Sequence, residues 1–160
     1  MTGTSGTKRT LLLMRHAEAA QGYEDFERAL TDRGRSQAEE VGRLLTEHGY
    51  APDHVICSAA RRTRQTLEGV LGAMELTAEP EVDYSEAAYS AGVDTLLELV
   101  NHVDAEARTV LVVAHNPTVA QVASSFAPLT SFAPATVAAV DLEVEWLYAA
   151  PGTGSGRLLN

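Results

Sequence analysis

TVLVVAHNPTVAQVASSF, residues 109–126, changes its period halfway along. Thr109 to Ala114 is a short, nearly unbroken apolar run, the pattern of a strand covered on both faces in a parallel sheet. Beyond it, Val119, Val122, Ala123 and Phe126 fall at i, i+3, i+4 and i+7, one stripe of a helix. Asn116 can cap that helix with its side-chain oxygen, and Pro117 suits the first helical position. His115 therefore falls where a strand ends and a helix begins. In open α/β sheets, ligands bind in the crevice at the carboxyl ends of the strands, where helix N-termini offer free amides to an anion.

The same switch of period occurs elsewhere in the chain. Thr10 to Met14 (TLLLM) and Val55 to Cys57 (VIC) are further apolar runs. The first leads through a loop, Gln21 to Leu30, to a helical stripe of Ala38, Val41, Leu44 and Leu45. The second precedes Leu67, Val70, Leu71 and Met74 in helical spacing, and Val93, Leu96, Leu97, Val100 and Val103 form another stripe. Thr136 to Asp141 and Val144 to Tyr148 read as two more strands, a hairpin at a sheet edge. Strand–helix alternation predicts an α/β fold, a three-layer αβα sandwich whose largely parallel sheet carries helices on both faces. One domain is expected over residues 9–150. Residues 1–8, rich in Gly, Ser and Thr, and residues 151–160, opening PGTGSG, are expected to be tails. With 160 residues, the chain can bury about 70% of its unfolded surface and needs neither disulfide nor structural metal.

Charge narrows the function. Twelve Lys and Arg against 22 Asp and Glu leave a net charge of −10, which argues against nucleic acid or an anionic membrane as partner. All the cations but Lys8 are arginine, whose planar fork suits phosphate or carboxylate. Cys57 is the single cysteine and cannot form an internal disulfide; the apolar run near the N-terminus is too short for a signal-peptide core, and no stretch is long enough to span a membrane. A cytoplasmic address is expected.

Three strand ends deliver polar groups to one edge of the sheet: Arg15 and His16, Ser58 to Arg64, and His115 with Asn116. Guanidinium groups hold phosphate oxygens bidentately, and a neutral imidazole can attack phosphorus to form a phosphohistidine. That set suits phosphoryl transfer, where catalysis is mostly positioning and charge neutralisation. One histidine at a strand end is ordinarily a spacer. Two of them at the ends of different strands, each beside anion-binding groups, are not expected from structure alone.

Three motifs, LLLMRHAEA (Leu11 to Ala19), SAARRTRQT (Ser58 to Thr66) and VVAHNP (Val112 to Pro117), occur in the order found in the histidine phosphatase superfamily, also called phosphoglycerate mutase-like. With LTDRGRSQAEEVGRLL (Leu30 to Leu45), they make the chain resemble the short SixA-type phosphohistidine phosphatases of that superfamily. The resemblance implies a phosphoglycerate mutase-like fold and a metal-independent phosphatase with a phosphohistidine intermediate. It assigns His16 as nucleophile, Arg15 and Arg62 as phosphate ligands, and His115 as a donor to a phosphoryl oxygen, with Asn116 supporting the pocket. Arg62 is selected over Arg61 and Arg64 because the family's arginine falls four residues after the serine.

The superfamily's general acid, a Glu after the second helix and its following strand, falls nearest Glu86 in DYSEAAYSAG. SixA-like proteins often lack that acid. Ala17 stands where many members have Gly, so its backbone should stay in an ordinary region. Ser58 is read as a helix cap and Glu18 as a loop ion-pair former, while His48, His54 and His102 are read as structural or exposed. No cofactor is implied, and no metal: ligand spacing is missing and the arginines would repel a cation. The expected partner is a phosphorylated protein, which makes the chain a phosphohistidine phosphatase. The alternatives are a small-molecule phosphomonoesterase and a noncatalytic phosphate-binding module.

Overall fold

A computed structural model describes residues 8–129 and 131–160, so most of the expected N-terminal tail lies outside the described residues. Within them the chain runs β1 (Arg9–Arg15), α1 (Asp32–Glu47), β2 (His54–Ser58), α2 (Arg61–Gly72), β3 (Glu81–Ser85), α3 (Glu86–Tyr89), α4 (Val93–Asn101), β4 (Thr109–Ala114), α5 (Thr118–Ser124), β5 (Val137–Leu142) and β6 (Gly154–Leu158). Short 3₁₀ turns occupy Asp25–Glu27 and Trp146–Tyr148. The strands form one sheet in the order β3-β2-β4-β1-β5-β6. The first four are mutually parallel; β5 runs antiparallel to β1, and β6 antiparallel to β5.

The unbroken apolar runs are explained by burial on both faces. Leu11 and Leu13 of β1 join Val110 and Val112 of β4 in one core with Leu96 and Val100 of α4 and Val119 and Val122 of α5. Leu12 and Met14 point the other way, with Leu111 and Val113, against Val41 and Leu45 of α1 and Leu67 and Val70 of α2. Successive strand residues thus feed opposite layers, which is why no polar residue interrupts these strands. The three-layer expectation holds. Cys57 belongs to the α1/α2 layer, where burial pushes its thiol up to about 12, so it is an inert core side chain.

This layering positions the site. The adjacent strands β1 and β4 pair from Thr10↔Thr109 to Arg15↔Ala114. After β1 the chain goes to α1 on one face; after β4 it goes to α5 on the other. A crevice opens between strands whose connections diverge in this way, at their carboxyl ends. His16 and His115 are the next residues after these two strands.

Four expectations need correction. Val144 to Tyr148 does not form a strand: Trp146 turns inward to 1% exposure, and its indole N–H donates to the Ala107 carbonyl at 2.7 Å, which anchors a 3₁₀ turn. The strand beside β5 is instead β6, inside the segment expected to be the C-terminal tail. Its glycines misled the reading. A Cβ on Gly156 would sit 3.0 Å from Val140 Cγ2, and the Gly156 amide donates to the Phe126 carbonyl at 2.9 Å, so glycine here serves close approach rather than looseness. Asn116 does not cap α5, which starts at Thr118 after a cis Asn116–Pro117 peptide and has no side-chain cap. Asn116 Nδ2 instead donates to the Phe132 carbonyl at 2.8 Å, across the crevice. Ser58 does not cap α2 either, because the capping position falls to Ala60. The edge strand β3, largely exposed, has no apolar run to reveal it.

Among the described residues, no helix is long and apolar enough to cross a membrane.

Candidate active site

The strand pairing carries directly into the site. The His16 amide donates to the Ala114 carbonyl at 3.0 Å, extending the β1/β4 ladder by one residue, so the residues following each strand emerge side by side. The His16 and His115 rings lie 5.4 Å apart, tilted by 57°. Arg15 flanks them from the end of β1, and Arg62 from the first turn of α2, where its side chain is buried to 6% exposure.

His16 is 8% exposed, and its Nδ1 stands 2.7 Å from the Ala17 carbonyl oxygen. A carbonyl only accepts, so Nδ1 carries the ring proton and Nε2 keeps its lone pair. The Ala17 amide is held in turn by Thr66 Oγ1 at 3.0 Å, and that hydroxyl donates to the Arg62 carbonyl at 2.7 Å, which couples the loop after β1 to α2. Ala17 has no positive φ, as its side chain requires.

Burial is the main cause that lowers the His16 pKa, to about 4; Arg62, Arg15 and Arg28 add to it, against the opposing effect of the Ala17 carbonyl. His115 is lowered to about 3, again by burial first and then by Arg62, His16 and Arg15, with Asp25 opposing. Both rings are neutral at pH 7.

The His115 tautomer follows from Ser58, which is fully buried with its Oγ 2.7 Å from His115 Nε2. Ser58 Oγ accepts from the Ala60 amide at 3.4 Å, and among the described residues its own proton has no acceptor other than His115 Nε2, which directs it there. The ring proton then sits on Nδ1, which is buried without a partner among the described residues. Arg15 Nε and Arg62 Nε are unpartnered and buried as well. Arg15 spends Nη1 on the Phe132 carbonyl at 3.2 Å, and Arg62 spends Nη1 and Nη2 on the Asp25 carbonyl and carboxylate at 2.6 and 3.0 Å. N–H donors buried without a protein partner cost about 1–3 kcal/mol each when left unmet, a cost that a bound oxyanion would offset.

Of the expected residues, the structure brings Arg15, His16, Arg62, His115 and Asn116 to one crevice. Glu86 stands apart. It opens α3, is exposed, and makes no hydrogen bond or ion pair with the other five; it lines a neighbouring cleft of about 760 Å³ with Phe26, Arg61, Arg64 and Tyr84. Glu18 ties down the start of α1 by accepting from Thr31 Oγ1 at 2.8 Å, rather than pairing with an arginine. His48, His54 and His102 lie on other elements, away from the crevice.

Sequence reasoning missed the rim. Asp25 accepts from Arg62, from Arg28 Nη1 at 3.0 Å and from the Tyr89 hydroxyl at 2.6 Å, and these donors hold its carboxyl well below the usual carboxylate range, Tyr89 foremost. The Tyr89 ring packs edge-on against His115 at 5.5 Å and against Phe26 at 5.0 Å. Asp25 sits in a polar loop with no periodicity, and nothing local marks it. Among the described residues, no three His, Cys, Asp or Glu side chains cluster so as to hold a metal ion.

The depressed histidine pKa values give a measurable consequence. Below pH 6.5 the unfolded imidazoles bind protons that the folded ones refuse, so the fold is favoured fully above about pH 6.5 and loses stability as pH falls through about 4. In NMR titration, the Cε1–H signals of His16 and His115 are expected to keep neutral-ring shifts down to pH 5. Midpoints near 6.5 for either would contradict the burial argument.

Two neutral imidazoles and N–H donors without protein partners thus meet at the switch point of an α/β sheet. The chain belongs to the histidine phosphatase superfamily (branch 1), whose family model matches residues 11–94. The uncharacterized protein Rv1276c of Mycobacterium tuberculosis is 35% identical over 119 residues, 73% of this chain and 72% of that one. Among solved structures, a candidate phosphohistidine phosphatase SixA from Nakamurella multipartitia is 34% identical, with a TM-score of 0.86 over 94% of each chain. The protein histidine phosphatase SixA complexed with tungstate is 25% identical, with a TM-score of 0.73 over 93% of each.

Proposed function

We propose that this chain is a metal-independent phosphatase that removes the phosphoryl group from phosphohistidine in proteins, by way of a phosphoenzyme on His16. The observation that carries the reading is the His16 ring: neutral, with Nδ1–H fixed on the Ala17 carbonyl and the Nε2 lone pair free beside the half-buried Arg15 and the buried Arg62. In the first step Nε2 attacks phosphorus, and the bond to the substrate's leaving atom breaks with its electron pair. Arg15 Nε, Arg62 Nε and His115 Nδ1 donate to the phosphoryl oxygens, where charge is concentrated during transfer. Water then attacks the phosphorus, the P–N bond breaks with its pair returning to Nε2, and the phosphate released carries the water's protons.

What the crevice lacks supports this substrate class. An alkoxide leaving group needs a proton delivered to it, and Glu86 makes no hydrogen bond or ion pair with the other candidate residues. A phosphoramidate departs with less help. Likeness to SixA proteins supports the same class, and the lone, buried Cys57 suits the cytoplasmic setting in which we place the enzyme.

Assayed with a chelator present, the protein is expected to turn over a phosphohistidine peptide at least about a hundredfold faster in kcat/KM than sugar, nucleotide or terpenoid phosphates. The reverse order would replace this reading with that of a small-molecule phosphatase. No turnover and no trapped phosphate with any donor would leave a binding module. Glu86→Gln is expected to leave phosphohistidine cleavage within about twofold of the parent, as befits an exposed side chain with no hydrogen bond or ion pair to the other candidate residues; a large loss on phosphomonoesters alone would assign Glu86 as their proton donor.

A further inference from the structure

The Asp25 loop is tied over the crevice by more bonds than a surface turn needs. The Arg62 guanidinium holds both its backbone carbonyl and its carboxylate, Tyr89 and Arg28 hold the carboxylate again, and Tyr89 rests on the His115 ring. Among the described residues, Oδ2 accepts from Arg62 and Tyr89, whereas Oδ1 accepts from Arg28 alone. A carboxylate has about four acceptor positions, so one remains on Oδ1. The Asp25 side chain is 52% exposed while Arg62, which it pairs with, is 7% exposed, and its partner Tyr89 packs on His115, so the carboxylate stands on the solvent side of the site.

In-line transfer puts the departing atom opposite the attacking one. His16 lies at the buried floor, so the leaving group departs toward the mouth, where Asp25 stands. Resting on the phosphohistidine reading above, we propose that the Asp25 carboxylate accepts the ring N–H of the departing imidazole, and so selects substrates phosphorylated on a nitrogen whose ring carries a second, protonated nitrogen.

The step balances without any proton crossing between enzyme and substrate. The substrate ring enters protonated on the nitrogen remote from phosphorus, and that N–H rests on Oδ1. The His16 Nε2 lone pair forms the new N–P bond, while the old P–N bond breaks and its pair returns to the departing nitrogen. The product leaves as a neutral imidazole. The positive charge passes to the His16 ring, whose Nδ1–H is still on the Ala17 carbonyl. The two imidazoles are thus treated alike, each with its remote N–H on an oxygen acceptor. For a phosphomonoester the same carboxylate is a hindrance: it is held ionised, has no proton to give, and repels a developing alkoxide.

The test pairs a residue with a single hydrogen of the substrate. The probes are N-phosphorylimidazole and N-phosphoryl-N′-methylimidazolium, which lacks the N–H, each rate being divided by that probe's uncatalysed hydrolysis. The parent enzyme is expected to prefer the N–H probe by about 10- to 100-fold in kcat/KM, the range of a charge-assisted hydrogen bond. Asp25→Asn and Asp25→Ala should bring that preference within about threefold of unity, while Tyr89→Phe, which leaves the carboxylate in place, should retain it. Loss of rate on both probes by one common factor would reduce Asp25 to a prop for Arg62 and overturn the proposal, as would a parent enzyme with no preference. A parent enzyme that cleaves neither probe yet hydrolyses p-nitrophenyl phosphate would overturn the phosphohistidine reading itself, a failure visible before any variant is made.

Discussion

Replacing His16 with alanine is expected to lower turnover by about 10⁴-fold or more, the scale seen when a covalent nucleophile is removed and only binding remains. The acid-labile, alkali-stable phosphoenzyme formed by the parent should vanish with it. Nothing else in the crevice can substitute, because the His115 Nε2 lone pair is taken up by Ser58 and its other nitrogen is protonated. The variant should fold: the His16 side chain makes one hydrogen bond, to the adjacent Ala17 carbonyl, and its loss removes no ladder bond of β1. Circular dichroism together with retained binding of tungstate or phosphate would establish that the oxyanion site survives. Robust turnover, or a phosphoenzyme still trapped in this variant, would remove the mechanism.

Arg62→Ala should be the next most damaging change, with kcat falling by about 10²- to 10³-fold, the loss typical of deleting one donor to the transition-state charge. Its second consequence is electrostatic. Arg62 is among the charges that keep His16 and His115 deprotonated, so both imidazole pKa values should rise in the variant, though burial, the larger cause, will keep them below 6.5. The acid limb of kcat/KM should shift upward accordingly. Arg62→Lys is expected to restore little. An ammonium has three donors but all on one nitrogen, and cannot spread them to the Asp25 carbonyl, the Asp25 carboxylate and a phosphoryl oxygen as the planar guanidinium does from three nitrogens. Full activity in the lysine variant would show that charge alone matters at this position and that the fork geometry does not.

How far the site could be read from the chain differs residue by residue. Arg15, His16 and His115 were legible because each abuts an apolar strand with an unmistakable end, and the place where a parallel strand ends is the place where its successor is exposed to ligand. Arg62 was legible only through the family motif, since three arginines crowd the start of α2 and helical spacing does not rank them. Its burial to 6% ranks it at once. Ser58 was noticed for the wrong reason. Its position just ahead of a helix suggested a cap, and the fold instead sets its hydroxyl on His115, which arrives 57 residues later from the neighbouring strand β4.

Asp25 and Tyr89 mark the boundary of such reading. They are 64 residues apart, one in an aperiodic loop and the other at the end of a one-turn helix, and they meet only because α2 and α3 both begin at strand ends on the same edge of the sheet. The β6 error has a related cause. Composition reports conformational freedom, and glycine is read as loose, whereas a sheet edge with no room for a Cβ demands glycine and makes it rigid.

Strand and helix identity, the two-faced burial of β1 and β4, and the chemistry available at their ends were all written locally, in runs of five to seven residues whose periodicity survives without any partner. Protonation states, tautomers, the unmet N–H donors and the carboxylate at the rim were not. Each of these is a property of the space between elements: desolvation needs the opposite layer in place, a tautomer needs the group across from it, and both exist only once the β1/β4 ladder has brought residues 16 and 115 within reach of each other.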